Sequence, residues 1–160
     1  MIRLIALDFD GTIAARKQPF DETMIEYVHR WKEKGIETVV ASGRPFRSLK
    51  RELAPYKDEI VLISNNGNLI RRKNSEETLD RFVFDKDAIR PLTAAIEARG
   101  LHPIFHVDSY AKGYDLVTLH EQTEREASYI VFYENMYREM TLDELLKEDV
   151  LAVAGYTTPD

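Results

Sequence analysis

Two aspartates stand one residue apart near the start of the chain, in the stretch DFDGT. Asp8 and Asp10 directly follow the apolar run LIAL, which is typical of a buried strand. Side chains two residues apart in an extended segment face the same way, so these two carboxylates would repel each other. A cation that joins them removes that cost, and a few hard oxygen ligands favour Mg²⁺. The alternative is that both aspartates only end the strand and start a turn.

The pair of carboxylates suits phosphate chemistry. A carboxylate that binds a metal ion beside a phosphate can attack phosphorus and form an aspartyl-phosphate. The second carboxylate can protonate the leaving alcohol and later activate a water molecule. The spacing of Asp8 and Asp10 therefore predicts a catalytic pair that also holds Mg²⁺.

A serine, a glycine and an arginine follow a second apolar run, VVA. A hydroxyl followed by glycine and by the amides at a helix start is an anion-binding arrangement, so Ser42 and Gly43 are candidate phosphate-binding residues. The alternative for Ser42 is an ordinary helix cap. Arg44 is either a ligand of a substrate oxygen or a surface residue. Asn66, in Asn-Asn-Gly, is interpreted as part of a hairpin turn rather than as a substrate ligand.

The first half of the chain alternates strands and helices, which is typical of a parallel α/β sheet. The predicted elements are strand 2–7, a helix capped by Asp21 and closed by Gly35, strand 36–42, a helix from Pro45 and strand 59–64. Ligands of such a sheet lie at the carboxyl ends of the strands. Both polar groups fall at such ends, so we expect them to lie together.

The second half mixes its elements differently. The patterns predict a short strand at 81–84, a helix over 87–99 capped by Asp85, strand 102–107, a helix within 121–137, a helix opened by Thr141 and strand 149–156. The boundary between the halves is expected in the charged stretch 71–80. Two domains, 1–79 and 80–160, are predicted.

Composition excludes several classes of function. The 160-residue chain carries a formal net charge of -6 and no cysteine. The acidic balance argues against nucleic-acid binding, and the missing cysteine excludes disulfides and thiolate sites. No window reaches the ~18 apolar residues that cross a bilayer. These features indicate a cytoplasmic protein with no membrane and no nucleic-acid partner.

The motifs resemble those of a known family. DFDGTI (8–13) is similar to the first signature of the haloacid dehalogenase-like hydrolases. The resemblance implies that Asp8 is the nucleophile and Asp10 the general acid/base. It also implies that the Asp8 carboxylate and the Asp10 main-chain carbonyl hold the metal, and that the Ser42 hydroxyl holds the phosphoryl group.

Two further stretches, ASGRP and ISNNGNLI, resemble the Cof-type branch, which inserts a large α/β cap after the third strand. The implied fold is α/β, with the N-terminal part of a parallel Rossmann-like core followed by a partial α+β cap. The family also uses a lysine and a later acidic signature, and neither is present in this chain. The strand LIALDF would then lie at a sheet edge, which predicts either a longer protein or self-association through that edge.

Two functions of different classes remain open. The first is a Mg²⁺-dependent phosphatase that hydrolyses small phosphorylated metabolites such as sugar phosphates through an aspartyl-phosphate. The second is a catalytically silent, truncated domain that serves as a binding or assembly module. A response-regulator-like receiver fits poorly, because receivers place their acidic residues on different strands.

Overall fold

The computed structural model describes residues 2–14, 22–121, 123–133 and 136–155. The chain divides into two compact units, Met1–Arg81 and Phe82–Asp160. Each unit contains its own sheet. Among the helices of the described ranges, none combines the length and the apolar character needed to cross a membrane.

The first unit contains a five-stranded sheet in the order β1-β2-β3-β4-β5. Its strands are β1 (Leu4–Asp8), β2 (Glu37–Ala41), β3 (Val61–Ser64), β4 (Leu69–Arg72) and β5 (Thr78–Arg81). The first three strands are parallel, and β4 and β5 return as antiparallel arms. The predicted α/β fold with a parallel sheet is confirmed.

Two helices connect the parallel strands, as βαβ units require. They are α1 (Glu22–Glu33) and α2 (Phe46–Glu52). Gly35 follows α1 with a φ of +70°, the left-handed conformation in which glycine commonly ends a helix. Pro45 precedes α2 as its N-cap rather than as its first helical residue. The predicted cap Asp21 lies outside the described residues.

The core of the first unit lies between its sheet and helices. Leu62, in the middle of β3, and Leu49 of α2 are both fully buried. Val40 of β2 and Phe9, just after β1, are 2% and 1% exposed. Burial of each such side chain contributes about 1.5–3 kcal/mol, so these residues hold the carboxyl ends of β1 and β2 in place.

The strand β1 stands at one edge of this sheet, as expected from the sequence. Among the described residues it pairs with β2 alone, from Leu4 opposite Glu37 to Asp8 opposite Ala41. Leu4 is 51% exposed. The strand therefore has one open side within the part of the chain that the structure describes.

The predicted strand at 81–84 is wrong. The structure places β5 at Thr78–Arg81, and residues 82–84 are not part of a strand. The stretch TLDR pairs with β4 because the turn at 73–77 brings the two arms together, although its side chains are exposed. Phe82 and Val83 are 59% and 46% exposed, so their aromatic and β-branched character misled the prediction.

The second unit contains a four-stranded sheet in the order β8-β7-β6-β9. Its strands are β6 (Pro103–Val107), β7 (Leu116–Thr118), β8 (Tyr137–Glu139) and β9 (Val150–Gly155). The central strand β6 is antiparallel to both neighbours, whereas β7 and β8 are parallel. The apolar runs in the sequence predicted β6 and β9 but not β7 and β8, which have three residues each.

Both faces of the second sheet are covered by helices, namely α3 (Lys86–Glu97), α4 (Glu124–Phe132) and α5 (Leu142–Leu145). Ile89 and Leu145 pack with Phe105 on one face. Ile130 packs with Ile104 on the other. The helices thus enclose a core on each side of β6.

The helix starts of the second unit follow their predicted caps. The side chain of Asp85 accepts a hydrogen bond from the backbone of Asp87, which caps α3. Thr141 forms a capping box with Glu144 at α5, so both predicted caps are confirmed. Helix α4 opens with a further capping box at Thr123.

Candidate active site

The two aspartates lie on either side of a sharp exit from β1. Asp8 is the last residue of the strand, and the backbone N–H of Phe9 still donates to the Ala41 carbonyl at 3.0 Å. The carbonyl of Phe9 then accepts from both Ile13 (3.2 Å) and Ala14 (2.9 Å), which closes a tight turn. Asp10 therefore belongs to the turn, and the extended conformation assumed from the sequence ends at Asp8.

The carboxylate of Asp10 is the centre of a polar cluster. The Ser42 hydroxyl donates to its Oδ2 at 2.8 Å. The Arg44 guanidinium donates to its Oδ1 from Nε at 2.9 Å and from Nη2 at 2.7 Å. The hydrogen bonds from Arg44 are the main cause that holds the pKa of Asp10 below its ordinary value, against the opposing effect of partial burial. The fold thus joins three of the predicted site residues.

Ser42 and Gly43 form the exit from β2. The hydroxyl of Ser42 accepts from the backbone N–H of Arg44 at 3.1 Å, while α2 begins only after Pro45. The alternative that Ser42 caps this helix is therefore wrong. At Gly43, a Cβ atom would lie 2.8 Å from Oδ1 of Asn66, closer than real side chains approach. A larger residue here would therefore displace the Asn66 side chain, which lies over Gly43 in the structure.

Arg44 is held inside the cluster. Its side chain is 25% exposed, and the guanidinium lies 5.1 Å from the centre of the Phe9 ring. Nη1 also lies 3.9 Å from the Glu52 carboxylate. The guanidinium is therefore paired within the protein, and its contact with a substrate oxygen stays a prediction. A planar guanidinium suits a carboxylate and a phosphate equally well.

Asp8 has fewer contacts. Its Oδ2 accepts a long hydrogen bond of 3.4 Å from the Thr12 hydroxyl, its one side-chain partner among the described residues. The residue is exposed. Its carboxylate oxygens can therefore accept a hard cation such as Mg²⁺ or attack a ligand. Within the described ranges no group of three or more acidic, histidine or cysteine side chains could hold a metal ion, so these residues offer only part of a metal site.

Two lysines of the described chain, Lys112 and Lys73, have partners away from Asp8. Nζ of Lys112 lies 2.8 and 2.7 Å from the two carboxylate oxygens of Glu148 in the second unit. Lys73 is 3% exposed and donates to the backbone carbonyl of Tyr56. The backbone N–H of Lys73 donates to the carbonyl of Ile60, which lies just before β3. Lys73 is therefore at the opposite end of the sheet from Asp8.

The loop after β3, which the sequence predicted as a hairpin turn, is bonded to the exit of β2. The backbone N–H of Asn65 donates to the Arg44 carbonyl at 2.9 Å, and that of Asn66 to the Ser42 carbonyl at 3.3 Å. The loop is thus attached to the exit of β2. The run Asn-Asn-Gly is the one signal in the sequence, because these residues tolerate positive φ.

A parallel α/β sheet with an acidic pair after β1 and Ser-Gly-Arg after β2 defines a recognisable class of enzyme. The chain belongs to the haloacid dehalogenase-like hydrolase family, which it matches over residues 5–160.

Two curated relatives are named as phosphatases. "Putative phosphatase YxeH" of Bacillus subtilis (strain 168) is 28% identical over 99 residues, which cover 58% of this chain and 35% of that protein. "Putative phosphatase M6_Spy0533" of Streptococcus pyogenes serotype M6 is 26% identical over 156 residues, which cover 91% of this chain and 56% of the relative. The chain thus spans about a third to a half of the curated relatives that it matches.

Solved structures share the fold. A haloacid dehalogenase-like hydrolase from B. subtilis superimposes with a TM-score of 0.75 at 18% identity. The superposition covers 98% of this chain and 62% of that one. This likeness extends through both units.

Proposed function

We propose that this chain belongs to a cytoplasmic, Mg²⁺-dependent phosphatase that hydrolyses small phosphorylated metabolites, such as sugar phosphates, through an aspartyl-phosphate. The observation that carries the proposal is the cluster at the carboxyl ends of β1 and β2. There, the carboxylate of Asp10 is bonded to the Ser42 hydroxyl and the Arg44 guanidinium, two residues after Asp8, whose carboxylate is exposed.

Each residue has a defined task in the proposed reaction. An Asp8 oxygen attacks phosphorus, the bond from phosphorus to the leaving oxygen breaks, and the proton of Asp10 passes to that oxygen. A water molecule then attacks the aspartyl-phosphate, gives a proton to Asp10 and releases inorganic phosphate with Asp8 restored. The Ser42 hydroxyl and the Gly43 backbone hold the phosphoryl oxygens throughout.

Arg44 connects substrate binding to the state of Asp10. In the structure it lowers the pKa of Asp10 by hydrogen bonds from Nε to both carboxylate oxygens and from Nη2 to Oδ1. A phosphate dianion competes for the same guanidinium, because both anions suit its planar fork. When Arg44 turns to the phosphate, Asp10 loses its main stabilising partner and takes up the proton that the first step needs.

Mg²⁺ fits the donor chemistry, with the Asp8 carboxylate and the Asp10 main-chain carbonyl as its ligands from this chain. When bound, the ion neutralises phosphate charge beside the nucleophile. The substrate is a phosphate monoester rather than a nucleic acid, since the chain has a net charge of -6. The open side of β1 is the proposed surface for self-association.

The second candidate is a catalytically silent binding or assembly module. It is supported by the absence of a complete metal-ligand cluster from the described residues. The two functions differ in what they predict for Mg²⁺ and phosphate. A silent module releases no phosphate from any ester and gives little heat when it is titrated with Mg²⁺ and a phosphoryl mimic.

The decisive experiment measures phosphate release from an aryl phosphate and from hexose phosphates, with Mg²⁺ and with a chelator. The expected result is release that needs Mg²⁺ and that Asp8→Asn abolishes, because an amide is a poor nucleophile. Asp80→Asn is the matched control, since Asp80 is an exposed aspartate on β5. Full activity of Asp8→Asn would remove Asp8 from the nucleophile's role, and inactivity of the unmodified protein would favour the silent module.

A further inference from the structure

The loop after β3 has an unusual backbone. Asn65, Asn66 and Gly67 have φ values of 52°, 56° and 97°, so three successive residues occupy the left-handed region. Asparagine tolerates this conformation as a single residue, whereas a run of three such residues is held by the surrounding structure. Such strain is common where a backbone must present a group to a ligand.

The contacts that fix this loop come from the proposed phosphate-binding segment. Asn65 and Asn66 donate their backbone N–H groups to the carbonyls of Arg44 and Ser42, at 2.9 and 3.3 Å. Ser42 in turn donates its N–H to the Ile63 carbonyl of β3 at 2.9 Å. The two strand exits are therefore bonded in both directions, and the position of Asn66 relative to Ser42 is set by backbone groups.

The side chain of Asn66 lies over Gly43. Measured from a Cβ built at Gly43, Oδ1 is 2.8 Å away and Nδ2 is 3.6 Å away. Asn66 is exposed, and within the described part of the chain its amide has no hydrogen-bond partner. Its neighbour Asn65 is 5% exposed and thus belongs to the interior. Asn66 therefore brings an open amide beside the residues proposed to hold phosphate, with its oxygen nearest Gly43, and a turn of the amide aims its two N–H donors there.

We infer that Asn66 contacts the substrate and that its Nδ2–H group donates a hydrogen bond to an oxygen of the phosphoryl group held at Ser42 and Gly43. This inference rests on the proposed function and replaces the interpretation of Asn66 as a simple turn residue. The turn geometry remains necessary, because it places the amide over Gly43. The amide side chain of Asn66 is not needed for the turn, and it is the group that binds the phosphoryl oxygen.

Two substitutions separate binding from packing. Asn66→Gly keeps the left-handed backbone and removes the amide. Asn66→Asp keeps the shape against Gly43 but replaces the donors by a negative charge that repels phosphate. We expect the inhibition constant of inorganic phosphate, measured against aryl phosphate hydrolysis, to rise about tenfold in Asn66→Gly and further in Asn66→Asp. The melting temperature of both variants should stay close to that of the unmodified protein.

The outcomes distinguish the inference from the function on which it rests. Unchanged phosphate inhibition in Asn66→Asp would show that Asn66 only packs against Gly43, and would overturn the inference. An increase in KM for hexose phosphates alone, with phosphate inhibition unchanged, would also overturn it. If the unmodified protein releases no phosphate, the proposed function fails. Calorimetric titration with inorganic phosphate then tests the Asn66 contact, with weaker binding expected in Asn66→Gly and the weakest in Asn66→Asp.

Discussion

Acid should destabilise the second unit through one histidine. His106, on β6, is 5% exposed and lies edge-on to the rings of Tyr129 and Tyr133, with centroids 5.9 and 5.3 Å away. Its Nε2 atom lies 2.7 Å from the Tyr129 hydroxyl. Burial lowers the pKa of His106 from 6.5 to about 4, because these surroundings solvate the charged ring poorly.

This shift gives the sign and the size of the pH effect. Between the two pKa values, the unfolded chain binds a proton at His106 that the folded chain does not bind. The free energy of unfolding therefore falls as the pH falls from 6.5 towards 4, and it is unaffected by this group above 6.5. The whole shift corresponds to about 3 kcal/mol, of which about 2 kcal/mol would be lost between pH 7.5 and pH 5.

Hydrogen exchange of the β6 and β7 amides at pH 7.5 and pH 5, corrected for intrinsic rates, measures this free energy within the second unit. His106→Gln should remove most of the loss, because glutamine offers polar atoms near the place of Nε2 but does not titrate. His120→Gln is the matched control, since His120 lies in the same unit with a side chain that is 49% exposed. An equal loss in the unmodified chain and in His106→Gln would refute the reasoning.

Two further substitutions test the packing of each unit. Leu62→Ala should lower the free energy of unfolding of the first unit by about 2–5 kcal/mol, because Leu62 is fully buried. Urea denaturation, monitored by the fluorescence of the single tryptophan, measures this loss. The control Leu79→Ala should cost less than about 0.5 kcal/mol, because that side chain is 43% exposed. Glu148→Gln should speed tryptic cleavage after Lys112 about tenfold, because this carboxylate accepts hydrogen bonds from three side chains of the loop 108–115. An unchanged cleavage rate would contradict that role.

Much of the fold follows from local signals. The parallel strands are continuous apolar runs, and α3 and α5 begin at caps whose side chains bond the backbone within a few residues. Strand β5 could not be predicted in this way, because TLDR is polar and exposed and is a strand only through its pairing with β4. Strands β7 and β8 have three residues each, which is too few to show the alternation of polar and apolar residues that indicates a strand.

The candidate site shows the same division. The rule that ligands lie at the carboxyl ends of parallel strands was enough to bring Asp10 and Ser42 together. The bonding of Arg44 to Asp10 could not be foreseen, since it depends on the direction in which a long side chain turns. The position of the Asn66 side chain over Gly43 depends on two separate loops, so it could not be predicted from either segment alone.

The self-association proposed for the open side of β1 would use main-chain groups. Within the described residues, its outer backbone groups meet no second strand. Main-chain groups recognise any extended peptide, whatever its side chains, so they favour assembly over discrimination. If copies associate through this edge as proposed, their degree of association depends on protein concentration more than on ionic strength.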